Sequence, residues 1–222
     1  MLRQVQLVNN EVYHIVSRSI AGYKIFNNPS DYARYISVLA FYQKALPYKF
    51  SIFNRLSLEG QQEVLNSSRG RLDRSGVIII AYCVMPTHIH LLLKQIGEGG
   101  ISRFVGNGLN SYSRYFNTKY SRKGPLWESK FKNILVNRDE QLLHLTRYIH
   151  LNPSSARIVE RPMDWEFSSY REYTSDVKNK MCQFGDVLDV DHGSYRKFVN
   201  NHIAYQRELS DIKHLLLEDY TS

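Results

Sequence analysis

The sequence has few of the residues that mark disulfide-rich or membrane-spanning proteins. Only two of its 222 residues are cysteines, Cys83 and Cys182, and neither belongs to a CxxC motif. A zinc site or a disulfide framework is therefore not expected, and both thiols should be free. No apolar run reaches the roughly 20 residues that span a bilayer, and the N-terminus lacks the apolar core of a signal peptide. We predict a soluble, cytoplasmic protein without membrane contact.

Acidic residues are scarce relative to basic ones. The chain has 21 Asp and Glu against 29 Lys and Arg, which gives a net charge of +8 and a pI near 9.4. Neutralising a phosphate with a cationic side chain releases condensed counterions, so this balance favours a polyanionic partner. Charge alone does not identify nucleic acid, because many basic proteins bind none. With 43% hydrophobic residues, the chain can bury the core of one domain with an appendage.

Apolar periodicity predicts a chain that mixes strands and helices. Strands are expected over 11–17, 77–84 and 88–94, and helices over 32–46, 101–120 and 139–151. A short strand is expected at 49–53, and residues 57–75 are predicted to be a solvated polar insertion. We divide the chain into a main domain, 1–173, and a C-terminal helical appendage, 174–222.

His88 and His90 are candidate metal ligands. Side chains alternate along a strand, so both imidazoles should project from one face while Ile89 points toward the core. Two imidazoles on one rigid face form a pair of ligands. The alternative is that they only satisfy hydrogen bonds on a wet sheet face, which is the commoner explanation of a solitary HxH triplet.

Tyr148 lies four residues before Asn152 in a predicted helix. Residues four apart share a helix face, so a hydroxyl and an amide oxygen would be presented together. An amide oxygen suits Mg²⁺ or Mn²⁺, and a divalent cation that neutralises a phosphate allows a tyrosine hydroxyl to attack it. The alternative is that Tyr148, one of 16 tyrosines, is a core aromatic.

Several ordered motifs carry a resemblance to a known family. They are YHIVSRS from Tyr13 with IF from Ile25, YCVMPTHIHLLL from Tyr82, GPLWESKFK from Gly124, RYIHLNP from Arg147 and WEFSSY from Trp165. In these motifs the chain resembles the REP-associated tyrosine transposases, a branch of the single-strand HUH transposases. Thr87 departs from the pattern, since many members carry Asn or Glu there, but the departure removes no catalytic atom.

The resemblance implies a function. In that family the His-hydrophobic-His pair binds a divalent metal, and the tyrosine of the YIxxNP helix forms a 5′-phosphotyrosine with DNA and frees a 3′-hydroxyl. It therefore implies metal binding by His88 and His90, with Asn152 as a further ligand, and nucleophilic attack by Tyr148. The expected enzyme cuts and rejoins single-stranded DNA beside hairpins, with Mg²⁺ or Mn²⁺ and no organic cofactor. The expected fold is α+β, of a ferredoxin-like or palm type, with helices on one face of a central antiparallel sheet.

Residues that flank the motifs are the predicted DNA contacts. Backbone phosphates are expected to meet the cationic side chains of Arg18, Lys130, Lys132 and Arg147. Trp127 is interpreted either as a stacking platform for an unpaired base or as a core anchor. Secondary candidates are His14 and His144, whereas His150 is left outside the site because it points away from Tyr148.

Two alternatives to a nuclease stay open. A domesticated descendant of a transposase would keep the fold and bind DNA hairpins without cutting them. A metal-dependent hydrolase would use metal-bound water and would tolerate Tyr148→Phe. Whether the protein is a monomer or a homodimer is undecided by the sequence.

Overall fold

The computed structural model describes residues 6–44, 46, 48–67, 76–128, 131–178 and 180–218. Its centre is a four-stranded sheet in the order β2-β3-β1-β4, and every pair of neighbouring strands is antiparallel. The strands are β1 Val12–Arg18, β2 Val77–Val84, β3 His88–Gln95 and β4 Lys132–Val136. The helices are α1 Pro29–Gln43, α2 Phe50–Phe53, α3 Leu58–Ser67, α4 Gly100–Lys119, α5 Asp139–Ser155, α6 Tyr170–Thr174, α7 His192–Asn200 and α8 Ile203–Glu218.

The predicted α+β class with a central antiparallel sheet is confirmed. One face of the sheet presents Tyr13, Ile15 and Leu91, all fully buried, and the paired helices α1 and α4 pack there. The other face carries the histidines, and α5 crosses it in contact with β2 and β3. Helices thus lie on both faces rather than one. The helix α5 packs on the histidine face and brings Tyr148 to the histidines.

Two local predictions between α1 and β2 are wrong. Residues 50–53 form the helical turn α2 instead of a strand, because Phe50 and Phe53, three residues apart, both pack on Phe41 of α1. Part of the predicted polar insertion is the helix α3, whose Val64 and Leu65 pack against the same small cluster. The remainder, 68–75, lies outside the described residues.

The C-terminal region is helical, as predicted, but it shares the core of the main domain. Cys182, Leu188, Tyr195 and Val199 belong to the same hydrophobic cluster as the sheet. The backbone N–H of Gln183 donates to the carbonyl of Ile79 in β2 at 2.9 Å. The boundary at residue 174 therefore does not separate two cores. Among the helices described, none combines the length and the apolar character needed to cross a membrane.

Candidate active site

The two histidines of the HIH motif open strand β3. The chain arrives from β2 through a tight turn in which the N–H of Met85 donates to the carbonyl of His88 at 2.8 Å. The N–H of Ser19, just after β1, fixes the turn from outside by donating to the carbonyl of Thr87 at 2.9 Å. Strand alternation then puts His88 and His90 on one face, with ring centroids 5.0 Å apart.

Each of these imidazoles has its Nδ1 atom engaged by a neighbour. His88 Nδ1 lies 2.9 Å from Thr87 Oγ1, and His90 Nδ1 lies 3.0 Å from His14 Nε2. If both Nδ1 atoms carry the proton, they donate to these partners and leave the two Nε2 lone pairs available. His14 then holds its own proton on Nδ1. The two contacts are thus compatible with the tautomer in which Nε2 of both His88 and His90 can accept a cation.

Burial keeps these imidazoles neutral. It lowers the pKa of His14 to about 4, and, with a smaller contribution from the Arg18 cation, that of His88 to about 4. Burial also holds the pKa of His90 well below the ordinary value of 6.5, with added repulsion from His88 and His14. Neutral imidazole is the form that ligates metals, so the site is ready for a cation at neutral pH.

Tyr148 reaches the histidines from α5. Its ring lies edge-on to His90, with centroids 5.7 Å apart, and edge-on to His14 at 6.1 Å. Burial raises the pKa of the Tyr148 hydroxyl, and the nearby Arg18 cation opposes the rise. The hydroxyl is therefore protonated at neutral pH, so it needs a positively charged group beside the phosphate before it can act as a nucleophile.

Asn152 lies one turn after Tyr148, as predicted. Its Nδ2 donates to the carbonyl of Tyr148 at 2.9 Å, which leaves the amide oxygen to accept another partner. The helix was expected to stop at residue 151, but α5 continues through Pro153 to Ser155. Proline costs the helix only the hydrogen bond to the carbonyl of Ile149, so Tyr148 and Asn152 both keep helical geometry.

These donors fit a hard divalent cation with open coordination positions. The two imidazole Nε2 atoms and the Asn152 amide oxygen would supply three neutral ligands. Within the described part of the chain, no group of three or more His, Cys, Asp or Glu side chains could hold a metal. The donor set is therefore incomplete on its own and leaves room for phosphate oxygens and water.

Two of the predicted basic residues lie on the histidine face. In the β1–β3 register Arg18 is directly opposite His88, and Val16 is opposite His90. In the β1–β4 register Lys132 is opposite Val16, so it projects from the same face. Both Arg18 and Lys132 are exposed. They therefore place positive charge on the face that carries His88 and His90.

Other predicted contacts are not brought to this face. Arg147 donates to His144 Nδ1 at 2.8 Å and to His202 Nε2 at 3.0 Å, and it stacks on Phe198 of α7. Arg147 and its partner His144 thus join α5 to the C-terminal helices. Lys130 lies outside the described residues.

Trp127 is a core anchor. Its ring is buried among Phe26, Tyr35 and Tyr112, and its Nε1 donates to Ser113 Oγ at 3.0 Å. A buried indole has no face for a base, so the stacking interpretation is wrong.

His150 has a structural role, in keeping with its exclusion from the site. It is fully buried, and its two ring nitrogens lie 2.7 Å from the Tyr195 hydroxyl and 2.8 Å from Ser169 Oγ. Burial lowers its pKa to about 3. His150 therefore ties α5 to α7.

Comparisons with known proteins bear on this site. The family model described as "Transposase IS200 like" matches residues 48–152, a stretch that contains the HIH motif, Tyr148 and Asn152. A Haemophilus influenzae protein named "Putative REP-associated tyrosine transposase" is 32% identical over 111 residues. The match covers 45% of this chain and 60% of that relative, so the chain spans well under the relative's full length.

A solved structure shares the fold. It is described as a REP-associated tyrosine transposase bound to a REP hairpin, and it matches 86% of this chain and 94% of its own with a TM-score of 0.55. The sequences are 14% identical, so this likeness concerns the fold. Together the comparisons confirm the resemblance to REP-associated tyrosine transposases that the motifs predict.

Proposed function

We propose that this chain, a relative of the IS200-like and REP-associated tyrosine transposases, is a single-stranded DNA nuclease and strand transferase with Tyr148 as its nucleophile. The observation that carries the proposal is the meeting of Tyr148 with His90 across 5.7 Å, although 58 positions separate them in the sequence. No described residue forms a hydrogen bond with Nε2 of His88 or His90, so both atoms can accept a cation beside Tyr148. The geometry is what a phosphoryl-transfer site with a tyrosine nucleophile requires.

The chemical step is a transesterification. The Tyr148 oxygen attacks phosphorus, the bond from phosphorus to the 3′-oxygen breaks, and the downstream DNA fragment stays on the tyrosine through its 5′-phosphate as a phosphotyrosine ester. The tyrosine gives up its proton and the departing 3′-oxygen gains one, so no water or cofactor is consumed. Attack by a 3′-hydroxyl on the ester reverses the reaction and joins strands.

His88, His90 and Asn152 would hold Mg²⁺ or Mn²⁺ in this site. The cation would neutralise charge on the scissile phosphate and make it open to attack by a hydroxyl of high pKa. Because the three proposed ligands are all neutral, we expect the cation to bind weakly until phosphate oxygens of the DNA complete its coordination. His14 would keep His90 oriented through the bond between Nε2 and Nδ1.

The edge strand β4 offers the DNA a route to Tyr148. Lys132 is exposed, and Ile134, which is 55% exposed, lies opposite His14 on the histidine face. Arg18 is exposed at the end of β1, next to His88. A single strand could therefore run along the open edge of this face, with Arg18 and Lys132 binding phosphates and Ile134 contacting a base.

The test is the formation of a covalent protein–DNA adduct. We would incubate the protein with labelled single-stranded oligonucleotides that contain a hairpin, with Mn²⁺ or Mg²⁺, and separate the products under denaturing conditions. The wild type should form an adduct that Tyr148→Phe, His88→Ala and a chelator each abolish. Tyr205→Phe is the matched control, because Tyr205 is an exposed tyrosine outside the site and its loss should leave the adduct intact.

Other outcomes separate the alternatives. Hairpin binding without adduct in any variant would support the domesticated binder, which the REP hairpin in the similar solved structure makes a specific candidate. Strand cleavage that survives Tyr148→Phe would indicate a water nucleophile and would contradict the proposal.

A further inference from the structure

A basic groove lies on the outer surface of α1 and α4, away from the site described above. It has a volume of about 520 Å³ and is lined by one side of α4 and by the facing parts of α1 and α2. We infer that this groove, hereafter the α1–α4 groove, is a second DNA-binding site that holds the phosphate backbone outside the cleavage site. This inference rests on the proposed function, because the DNA that would bind in the groove is the same molecule that Tyr148 would cut.

The charged residues that line the groove all carry positive charge. Four of its lining residues are cationic, namely Arg34, Lys49, Arg114 and Lys119, and none of the lining residues in the described chain is acidic. Lys119 forms an ion pair with buried Asp31 at 2.6 Å. The other three cations form no ion pair with any residue that the structure describes. Unpaired cations gathered in one concave surface attract a polyanion.

Arg34 is held in place by aromatic rings and forms no ion pair with a residue of the described ranges. Its guanidinium stacks on the Phe50 ring, 4.4 Å from the centroid, and lies 5.1 Å from the centre of the Tyr115 ring. Its Nε atom is buried and has no hydrogen-bond partner among the described residues. A buried donor that lacks a partner is costly, and a planar guanidinium is well suited to phosphate oxygens. The rings thus orient a cation for a ligand that is not part of the protein.

The polar residues of α4 complete the lining. Asn107, Asn110, Ser111 and Arg114 follow one another at helical spacing, so they form a polar row along one side of the groove. Amide and hydroxyl groups donate to phosphate and sugar oxygens without reading the bases. The groove therefore favours sequence-independent contact with the sugar-phosphate backbone.

The groove and Tyr148 contact different parts of the DNA. The α1–α4 layer covers one face of the sheet, whereas Tyr148 meets the histidines on the other. A helix with its side chains is itself about 10 Å across, so one nucleotide cannot occupy both places. The groove would hold a segment remote from the cut phosphate and so anchor the substrate.

Charge reversal at two exposed groove residues tests the inference. We would measure binding of a fluorescent hairpin with single-stranded tails by anisotropy across a range of salt concentrations, for wild type and for Lys49→Glu with Arg114→Glu. We expect the Kd to rise about tenfold or more. The plot of the log of the binding constant against the log of the salt concentration should become less steep by about 1.5, for two lost phosphate contacts. Both side chains are exposed, so folding should be unaffected.

The matched control makes the same change in net charge elsewhere. Lys178 and Lys180 are exposed beyond α6, and Lys178→Glu with Lys180→Glu should leave Kd and slope near the wild-type values. Equal effects in the two double variants would mean only a general charge effect and would overturn the inference. If the wild type forms no adduct while the groove variant still loses binding, the proposed catalysis fails and the groove assignment stands.

Photo-crosslinking locates the DNA directly. The native Cys83 and Cys182 are buried, so a cysteine introduced at Ser111 can be labelled selectively with a photoreactive maleimide. Ser111→Cys should crosslink to the hairpin substrate, and Lys178→Cys should not. A Ser111→Cys yield no higher than that of the control would contradict DNA binding in the groove.

Discussion

His14 connects strand β1 to the proposed metal site. Its ring stacks on His90 with centroids 5.2 Å apart, and its Nε2 lies 3.0 Å from His90 Nδ1. A ligating histidine usually has its second ring nitrogen held by a hydrogen bond, which fixes the tautomer and orients the ring. In the proposed metal site His14 would provide this function with an imidazole, where a carboxylate or a carbonyl is more usual. Its proposed role is that of a positioning residue, because it would act through His90.

Replacing His14 should weaken metal binding before it affects DNA binding. His14→Phe keeps an aromatic ring in the buried position but removes the acceptor for His90 Nδ1–H. We expect Mn²⁺ affinity in the presence of DNA to fall about 10- to 100-fold, as measured by titration calorimetry, and adduct formation to slow at a given Mn²⁺ concentration.

His14→Gln provides the rescue. Its amide oxygen can accept from His90, so it should recover part of the Mn²⁺ affinity, and excess Mn²⁺ should restore the rate in both variants. Unchanged Mn²⁺ affinity in His14→Phe would mean that His14 only fills space.

The residues of the site were predictable to different degrees. His88 and His90 follow from strand alternation, and the pairing of Tyr148 with Asn152 follows from helical spacing. The part played by His14 was not predictable, since strand pairing brings it to His90 across 76 positions of sequence. Trp127 was ambiguous for a related reason, because only the packed structure decides whether an indole faces a base or the core.

At the scale of elements, the start of α1 is fastened to the end of α4 by one buried carboxylate. Asp31 is fully buried and accepts hydrogen bonds from Lys119, Tyr120 and Tyr115 at 2.6, 2.6 and 2.9 Å. Burial alone would raise the pKa of Asp31, but these bonds hold it below its ordinary value. The carboxylate thus sets the spacing of the two helices that form the groove.

Neutralising Asp31 should loosen this helix pair. Asp31→Asn keeps the shape but leaves the Lys119 cation without its anion and offers one acceptor fewer to the tyrosine hydroxyls. We expect the free energy of unfolding to fall by about 3 kcal/mol, toward the low end for buried pairs because Lys119 is partly solvated. Urea denaturation of Asp31→Asn, Lys119→Met and the double variant would give the coupling energy. A coupling near zero would contradict a specific role for the pair.

Element predictions succeeded where the apolar period was long and failed where it was short. The 20-residue α4 and the continuous apolar β2 were identified because packing reinforces their periodicity. The four-residue α2 has too few positions to separate a helical from an extended pattern. In α5 the proline suggested a stop, but surrounding contacts keep the helix intact past it.

At the scale of the whole molecule, neutral buried histidines join elements that are distant in sequence. His14 joins β1 to β3, and His150 joins α5 to α7 through Tyr195. His88 and His90 lie on the face of the sheet that α5 covers. Each is kept neutral by burial, so each makes the native state depend on pH in the same direction.

Acid should therefore destabilise the protein well before its carboxylates are protonated. The folded-state pKa of His14 and His88 is about 4 and that of His150 about 3, against 6.5 in the unfolded chain. Between these values the unfolded chain binds more protons, so the free energy of unfolding falls as pH falls. Each such histidine contributes about 1.4 kcal/mol per pH unit across that window.

Carboxylates modify this trend in identifiable ways. The lowered pKa of Asp31 adds stability that is lost only below its unfolded value of 3.8, below the range of pH 6.5 to about 4 over which His14 and His88 act. Burial raises the pKa of Glu172, so its protonation favours the folded state and offsets one histidine in part of the window. Three buried histidines, His14, His90 and His150, together with the half-buried His88 outweigh this one carboxyl, so acidification causes a net loss of stability.

The pH effect can be assigned to one residue by comparing variants. We would measure urea unfolding from pH 7 to pH 4.5 in buffer containing a chelator, so that metal binding does not compete with protons. His150→Gln should lower the free energy of unfolding at neutral pH. It should also make that free energy less dependent on pH, by about one proton or roughly 1.4 kcal/mol per pH unit. Asn107→Gln, at an exposed position of α4 without an ionisable side chain, should leave the slope unchanged. If His150→Gln kept the full wild-type slope, acid sensitivity would have to arise elsewhere than in the link between α5 and α7.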